Sequence, residues 1–165
     1  MLPLIVDPSH VKIGLAGAGD ALVKRRAHLA DAGVDPVTVR PDDRVGLAGL
    51  SVLYIAGLEH EISAALAGRA RAQGILVNVE DVPALCDFHV PATVRRGDLL
   101  LTVSSAGRSP GLVRAIREWL SNQFGAAWSG RVAEIGARRD GWRAEGLSPA
   151  QISEKTKAIA QRWLG

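Results

Sequence analysis

Three short segments hold the side chains that can do chemistry. Val77-Asn78-Val79-Glu80-Asp81-Val82-Pro83 sets a carboxylate, Asp81, at the end of an apolar run that reads as a strand. Parallel sheets hold their ligands beyond the carboxyl ends of the strands, so Asp81 is a candidate general base, with a cap on the turn before Pro83 as the plainer alternative. Adjacent Glu80 would raise the proton affinity of Asp81 if both faced one cleft, although neighbours along a strand point to opposite faces. Upstream, Gly17-Ala18-Gly19 supplies two of the three small residues of a dinucleotide turn, whose glycines let backbone N–H groups approach a pyrophosphate at a helix N-terminus. Leu22 stands at the third position, so the helix sits farther from the strand or the pyrophosphate is held differently. Downstream, Ser104-Ser105-Ala106-Gly107-Arg108-Ser109-Pro110 forms a polar turn that can bind a ligand or simply cap the next helix.

These residues need a scaffold, and the periodicity supplies one. Val11 to Leu15 predicts a strand leading into the glycine turn, and Ala21 to Ala32 a helix stopped at Gly33. Val37 to Val39 and Ser51 to Ala56 predict two more strands, Glu59 to Gln73 a helix stopped at Gly74, and Ile75 to Asn78 a fourth strand. Such alternation means a parallel sheet with helices on its faces. Two further strands are expected over Phe88 to Val94 and Leu99 to Ser104, turning at Arg96-Gly97-Asp98. Ser109-Pro110 opens a helix reaching at least Leu120, and glycines at 125, 130 and 136 obscure the pattern of the next region. Ser148 and Gln151 have capping-box spacing for a last helix to Leu164, which presents Ile152, Thr156, Ile159 and Trp163 on one face.

After the second strand, Arg40-Pro41-Asp42-Asp43 carries a split signal. An acidic residue there accepts from a ribose 2′-hydroxyl and an arginine favours a 2′-phosphate, so NAD and NADP both stay open beside a merely solvated turn. His89 on its expected strand is a proton shuttle, a metal handler or an ordinary structural histidine. His10, His28 and His60 lie in separate segments without zinc spacing, and no metal site is expected. Cys86, the one cysteine, cannot form an internal disulfide and suits a small, half-buried side chain.

A net charge of +3 and pI near 9.5 come without aromatic interleaving or a nucleic-acid motif, so a polycarboxylate small molecule is the better expectation than nucleic acid. No membrane span or secretory leader is evident, and a cytoplasmic protein is expected. Trp119, Trp128, Trp142 and Trp163 all fall in the last third, where they are expected to pack the helices against one another or a second subunit.

The segments Val77 to Pro83 (V-N-V-x-D-x-P), Cys86 to Ala92 (C-x-F-x-x-P-A), Arg96 to Leu99 (R-G-D-L) and Ser104 to Pro110 (S-S-x-G-x-S-P) together resemble the siroheme synthase amino-terminal family, the precorrin-2 dehydrogenase and sirohydrochlorin ferrochelatase proteins. The resemblance extends back to Leu2 and fades after Trp119. It implies a Rossmann-like parallel sheet with a two-strand extension, an NAD-binding domain over residues 1–110, and a helical dimerisation and substrate segment over 111–165. The implied activity is NAD-dependent oxidation of precorrin-2 to sirohydrochlorin by a homodimer, with ferrous iron insertion into sirohydrochlorin open as a second activity. Asp81 is the implied base for both. The cofactor contacts implied are Gly17, Ala18, Gly19, Asp20, Ala21, Asp42, Asp43 and Asn78. The tetrapyrrole falls to Ser105, to Arg108 for a substrate acetate or propionate, and to His89, where the family generally has an apolar residue. Arg95, Arg96 and Arg114 are weaker candidates for the carboxylates. The alternative is a non-catalytic dinucleotide-binding module with a regulatory or partner-binding role, since fold alone does not establish activity.

Overall fold

The computed structural model describes residues 2–42 and 46–164, and the chain divides into two compact units, 1–90 and 91–165. In the first unit, β1 (Ile13–Gly17) leads into α1 (Gly19–Ala30) and β2 (Val37–Thr38). Next come β3 (Val52–Ala56), α2 (His60–Arg71) and β4 (Leu76–Val79). All four strands pair in parallel in the order β2-β1-β3-β4. Apolar residues fill the two central strands, which are buried on both faces, as parallel strands under helices must be. Right-handed crossovers running in opposite directions from the middle of the sheet place α1 and α2 on opposite faces. Leu53, Ile55, Leu66, Ala67, Ala70 and Val77 form the centre of the core.

In the second unit, β5 (Ala92–Arg96) and β6 (Leu99–Val103) make an antiparallel hairpin through Gly97-Asp98. Three helices complete it: α3 (Pro110–Gln123), α4 (Ala127–Ala144) and α5 (Pro149–Leu164). The division falls at Val90/Pro91, not at 110. Within this unit the hairpin packs with α3. Strand β5 starts at Ala92, four residues later than the periodicity suggested, because Pro91 has no N–H to give a ladder.

Helix α4 runs through Gly130, Gly136 and Gly141, residues that each weaken a helix by about 1 kcal/mol. Its apolar residues Trp128, Val132, Ile135 and Trp142 keep one half-buried face at helical spacing, and tertiary packing on that face outweighs the glycines. The capping box of α5 forms as expected: the Ser148 N–H donates to Gln151 Oε1 (2.9 Å) and the Gln151 N–H to Ser148 Oγ (3.4 Å). Among the described residues no helix is long and apolar enough to cross a membrane.

Candidate active site

The chain leaves β1 toward β2 and returns to start β3 on the other side of β1, so the topological switch lies between β1 and β3. The crevice at their carboxyl ends is where such sheets bind ligands. Two glycines draw these ends together. A Cβ on Gly17 would collide with the Ala56 carbonyl, and one on Gly57 with the Ala18 carbonyl and, at 3.0 Å, with Ala21 Cβ. The Ala18 N–H donates to the Ala56 carbonyl at 3.1 Å, locking the two turns edge to edge. Gly57 went unread in the sequence, although a glycine between an apolar run and a helix start is a visible signal. Gly17 also receives Leu22, whose Cβ lies 3.3 Å from where a Gly17 Cβ would stand; a leucine is therefore accommodated at the third fingerprint position by packing on a glycine.

A dinucleotide fits this turn. Gly19 adopts φ +60°, and a Cβ built on it meets nothing within 4 Å, which leaves open space before the first N–H groups of α1. Asp20 is exposed in the first turn and Ala21 is half-buried behind it. Val39 is buried and continues the pairing with β1, its N–H donating to Leu15 O at 2.9 Å, while Arg40 is exposed and Asp42 exposed at the same edge. Asp43 lies outside the described residues.

Asp81 comes after β4 at that carboxyl edge. It is exposed and adopts φ 59°, a left-handed conformation that an aspartate tolerates at a cost and that concentrates at functional sites. The loop around it is held firmly. Cys86 and Asp87 fold back along the free edge of β4: the Val79 N–H donates to Cys86 Sγ (3.3 Å), and the thiol donates to Val79 O (3.1 Å). The Val77 N–H donates to Asp87 Oδ2 (2.8 Å), while Arg71 Nε grips the other carboxylate oxygen at 2.8 Å. Asn78, an expected cofactor contact, lies in β4 itself. It is buried, and its amide nitrogen donates to the Phe88 carbonyl at 2.9 Å, so the side chain anchors the loop from below. Phe88 sets its ring edge-on to Tyr54, centroids 5.4 Å apart.

The Glu80 carboxylate pairs with Arg25 of α1 at 3.2 Å, and Arg25 also lies over the Tyr54 ring at 5.5 Å. Burial pushes the Tyr54 hydroxyl above its ordinary pKa, with Arg25 pulling weakly the other way. Glu80 is thus committed to an ion pair with α1. His89 stands exposed in the segment before Pro91 and is not on a strand.

The remaining expected residues belong to the second unit. Ser105 Oγ accepts the Ser109 N–H at 3.0 Å, which leaves its own hydrogen to donate elsewhere; Ser109 stands at the N-cap but its hydroxyl makes no cap bond. Ala106 and Gly107 are both left-handed (φ 56° and 78°) and turn Arg108 outward, exposed. Arg96 is engaged within its own unit. Its guanidinium donates to the Phe124 carbonyl (2.7 Å) and to Ser121 O and Oγ (3.1 and 2.9 Å), capping the C-terminal end of α3. Arg95 and Arg114 are exposed. Of the tryptophans, Trp128 packs on Phe124 (4.9 Å) and Trp163 (6.1 Å), with Arg131 stacked over both indoles, and Trp142 lies under Lys155. Trp119 is 59% exposed.

The family described as "Putative NAD(P)-binding" matches residues 40–92. The siroheme synthase of Ectopseudomonas mendocina is 37% identical over 107 residues, covering 65% of this chain and 23% of the relative. That of Pseudomonas aeruginosa is 31% identical over 179 aligned positions, covering 87% of this chain and 38% of the relative. The chain therefore spans about a quarter to two fifths of the length of these relatives. The solved structure of SirC, precorrin-2 dehydrogenase, superposes with a TM-score of 0.76 over 96% of this chain and 89% of that one, at 17% identity, and so has the same fold. With 87% of its length aligned to one siroheme synthase at 31% identity and its fold shared with a precorrin-2 dehydrogenase, the chain belongs to the siroheme synthase amino-terminal family.

Proposed function

We propose that this protein oxidises precorrin-2 to sirohydrochlorin with a nicotinamide dinucleotide, NAD being the form the family implies. The observation that carries the reading is Asp81: an exposed carboxylate in a left-handed conformation, on a loop bonded along the edge of β4, at the carboxyl edge that also holds the Gly17–Gly19 turn. The bound nicotinamide supplies a hydride acceptor. The first N–H groups of α1, opened by Gly19, hold the pyrophosphate. Removing a hydride from a carbon of the macrocycle leaves a proton to be taken from the same substrate, and the Asp81 carboxylate takes it. Ser105, through its free hydroxyl hydrogen, and the outward Arg108 bind the substrate's acetate and propionate groups.

The relatives' names place them in siroheme synthesis, which agrees with a tetrapyrrole polycarboxylate as substrate here. For iron insertion the same carboxylate serves, accepting pyrrole N–H protons as ferrous iron, the substrate metal, enters. The reading also includes a homodimer. The test is to mix purified protein, precorrin-2 and NAD and to follow reduced nicotinamide and sirohydrochlorin by absorbance. Formation of both in equal amounts supports the assignment, and dinucleotide binding without turnover would instead favour a non-catalytic module.

A further inference from the structure

We infer that the adenosine end of the cofactor site carries a 2′-phosphate subsite built on Arg40, so that the chain accepts NADP at least as well as NAD. The inference rests on the dinucleotide reading above. Backbone alternation persists past β2, because Val39 is buried and its N–H still bonds Leu15 O at 2.9 Å. Thr38 marks the face of β2 toward α1, since its hydroxyl accepts from Arg26 Nη2 of that helix at 3.0 Å. Residues two apart on an extended chain share a face, so Arg40 lies on the α1 side, exposed, at the carboxyl edge next to the strand that carries the glycine turn. Its guanidinium has no hydrogen bond or ion pair among the described residues and is available to a ligand.

The residue just after the second strand reads the ribose 2′ position in sites of this topology. A carboxylate there accepts from a 2′-hydroxyl, whereas a guanidinium matches a phosphate with two parallel hydrogen bonds. No carboxylate stands at the end of this strand. Asp42 comes two residues later, beyond Pro41, whose carbonyl is held by the guanidinium of Arg69 from α2. That hold fixes the backbone between them and keeps Arg40, not Asp42, first after the strand.

Calorimetry of the full chain with NAD+ and with NADP+, for the natural protein and Arg40→Ser, tests the subsite. The expected result is an NADP+ affinity equal to or tighter than that for NAD+. Arg40→Ser should weaken NADP+ by about ten- to a hundredfold, the worth of charge-assisted hydrogen bonds, and shift NAD+ by no more than about twofold, as an exposed substitution does. An unchanged melting temperature establishes that the variant folds. If NADP+ binds the natural protein tenfold more weakly than NAD+, or if Arg40→Ser weakens both alike, the subsite is wrong and the cofactor reading stands. If neither dinucleotide binds, both are wrong.

Discussion

At the scale of single residues, the Asp81 carboxylate and the glycines beside it make separable predictions. Asp81→Asn keeps the shape and the loop bonds but removes the proton acceptor. Turnover should fall by about a hundredfold or more, with dinucleotide and tetrapyrrole affinities retained, as steady-state kinetics and calorimetry would show. Near-normal sirohydrochlorin formation would make Asp81 a turn residue only. Gly17→Val looks from sequence alone like a clean block on the pyrophosphate. The structure shows otherwise, since the added carbons collide with the Ala56 carbonyl and disturb the sheet itself. Gly19→Ala is the better probe, because its methyl enters open space: dinucleotide affinity should drop, and the left-handed φ should cost about 1 kcal/mol of stability in a melting experiment. Tyr54 is the sole tyrosine, so an ultraviolet titration reads it alone. Burial raises its pKa above the ordinary 10.0 in the folded protein, which favours the neutral phenol. The resulting contribution to stability is present below the ordinary value and is lost as pH climbs through the folded-state value. The folded protein should accordingly ionise at higher pH than the same chain in denaturant.

At the scale of elements, two local devices hold the site's supports. The free edge of β4 is covered by Cys86 and Asp87, which occupy the bonding groups that an edge strand would otherwise leave for another chain. In the second unit Arg96 bonds three acceptors at the end of α3 and ties that helix to β5. Arg96→Ala leaves the Phe124 and Ser121 carbonyls without this partner and should destabilise the unit by about 2 kcal/mol, measured by denaturant unfolding. An unchanged midpoint would mean that water replaces the guanidinium without loss.

At the scale of the whole molecule, α3 carries Leu112, Ile116 and Trp119 in one stripe, 55%, 37% and 59% exposed. An exposed apolar stripe of this kind is what a subunit contact needs. In the proposed homodimer this stripe is buried, and Ile116→Glu should shift light scattering at micromolar concentration from dimer to monomer while circular dichroism stays unchanged. A natural protein that scatters as a monomer and still turns over precorrin-2 would show that a single chain completes the site.

Sequence alone determined whatever depends on near neighbours. The order of the strands and of the helices other than α4 comes from periodicity, the opening of α5 from a Ser148–Gln151 exchange three residues apart, and the glycine turn from residues in direct succession. Asp81 and Ser105 are singled out on a different ground: their short motifs resemble a known family's. The tertiary structure decided whatever depends on distant partners. Gly57 matters because Ala18 lies against it, and Asn78 anchors a loop because Phe88 returns beneath it. Arg96 caps α3 because Ser121 and Phe124, more than twenty residues later, come within reach. A side chain's chemistry can be read from its type, but a donor or a charge is committed to whichever group the fold brings within about 3 Å, and that choice is made by packing across the sheet and between helices.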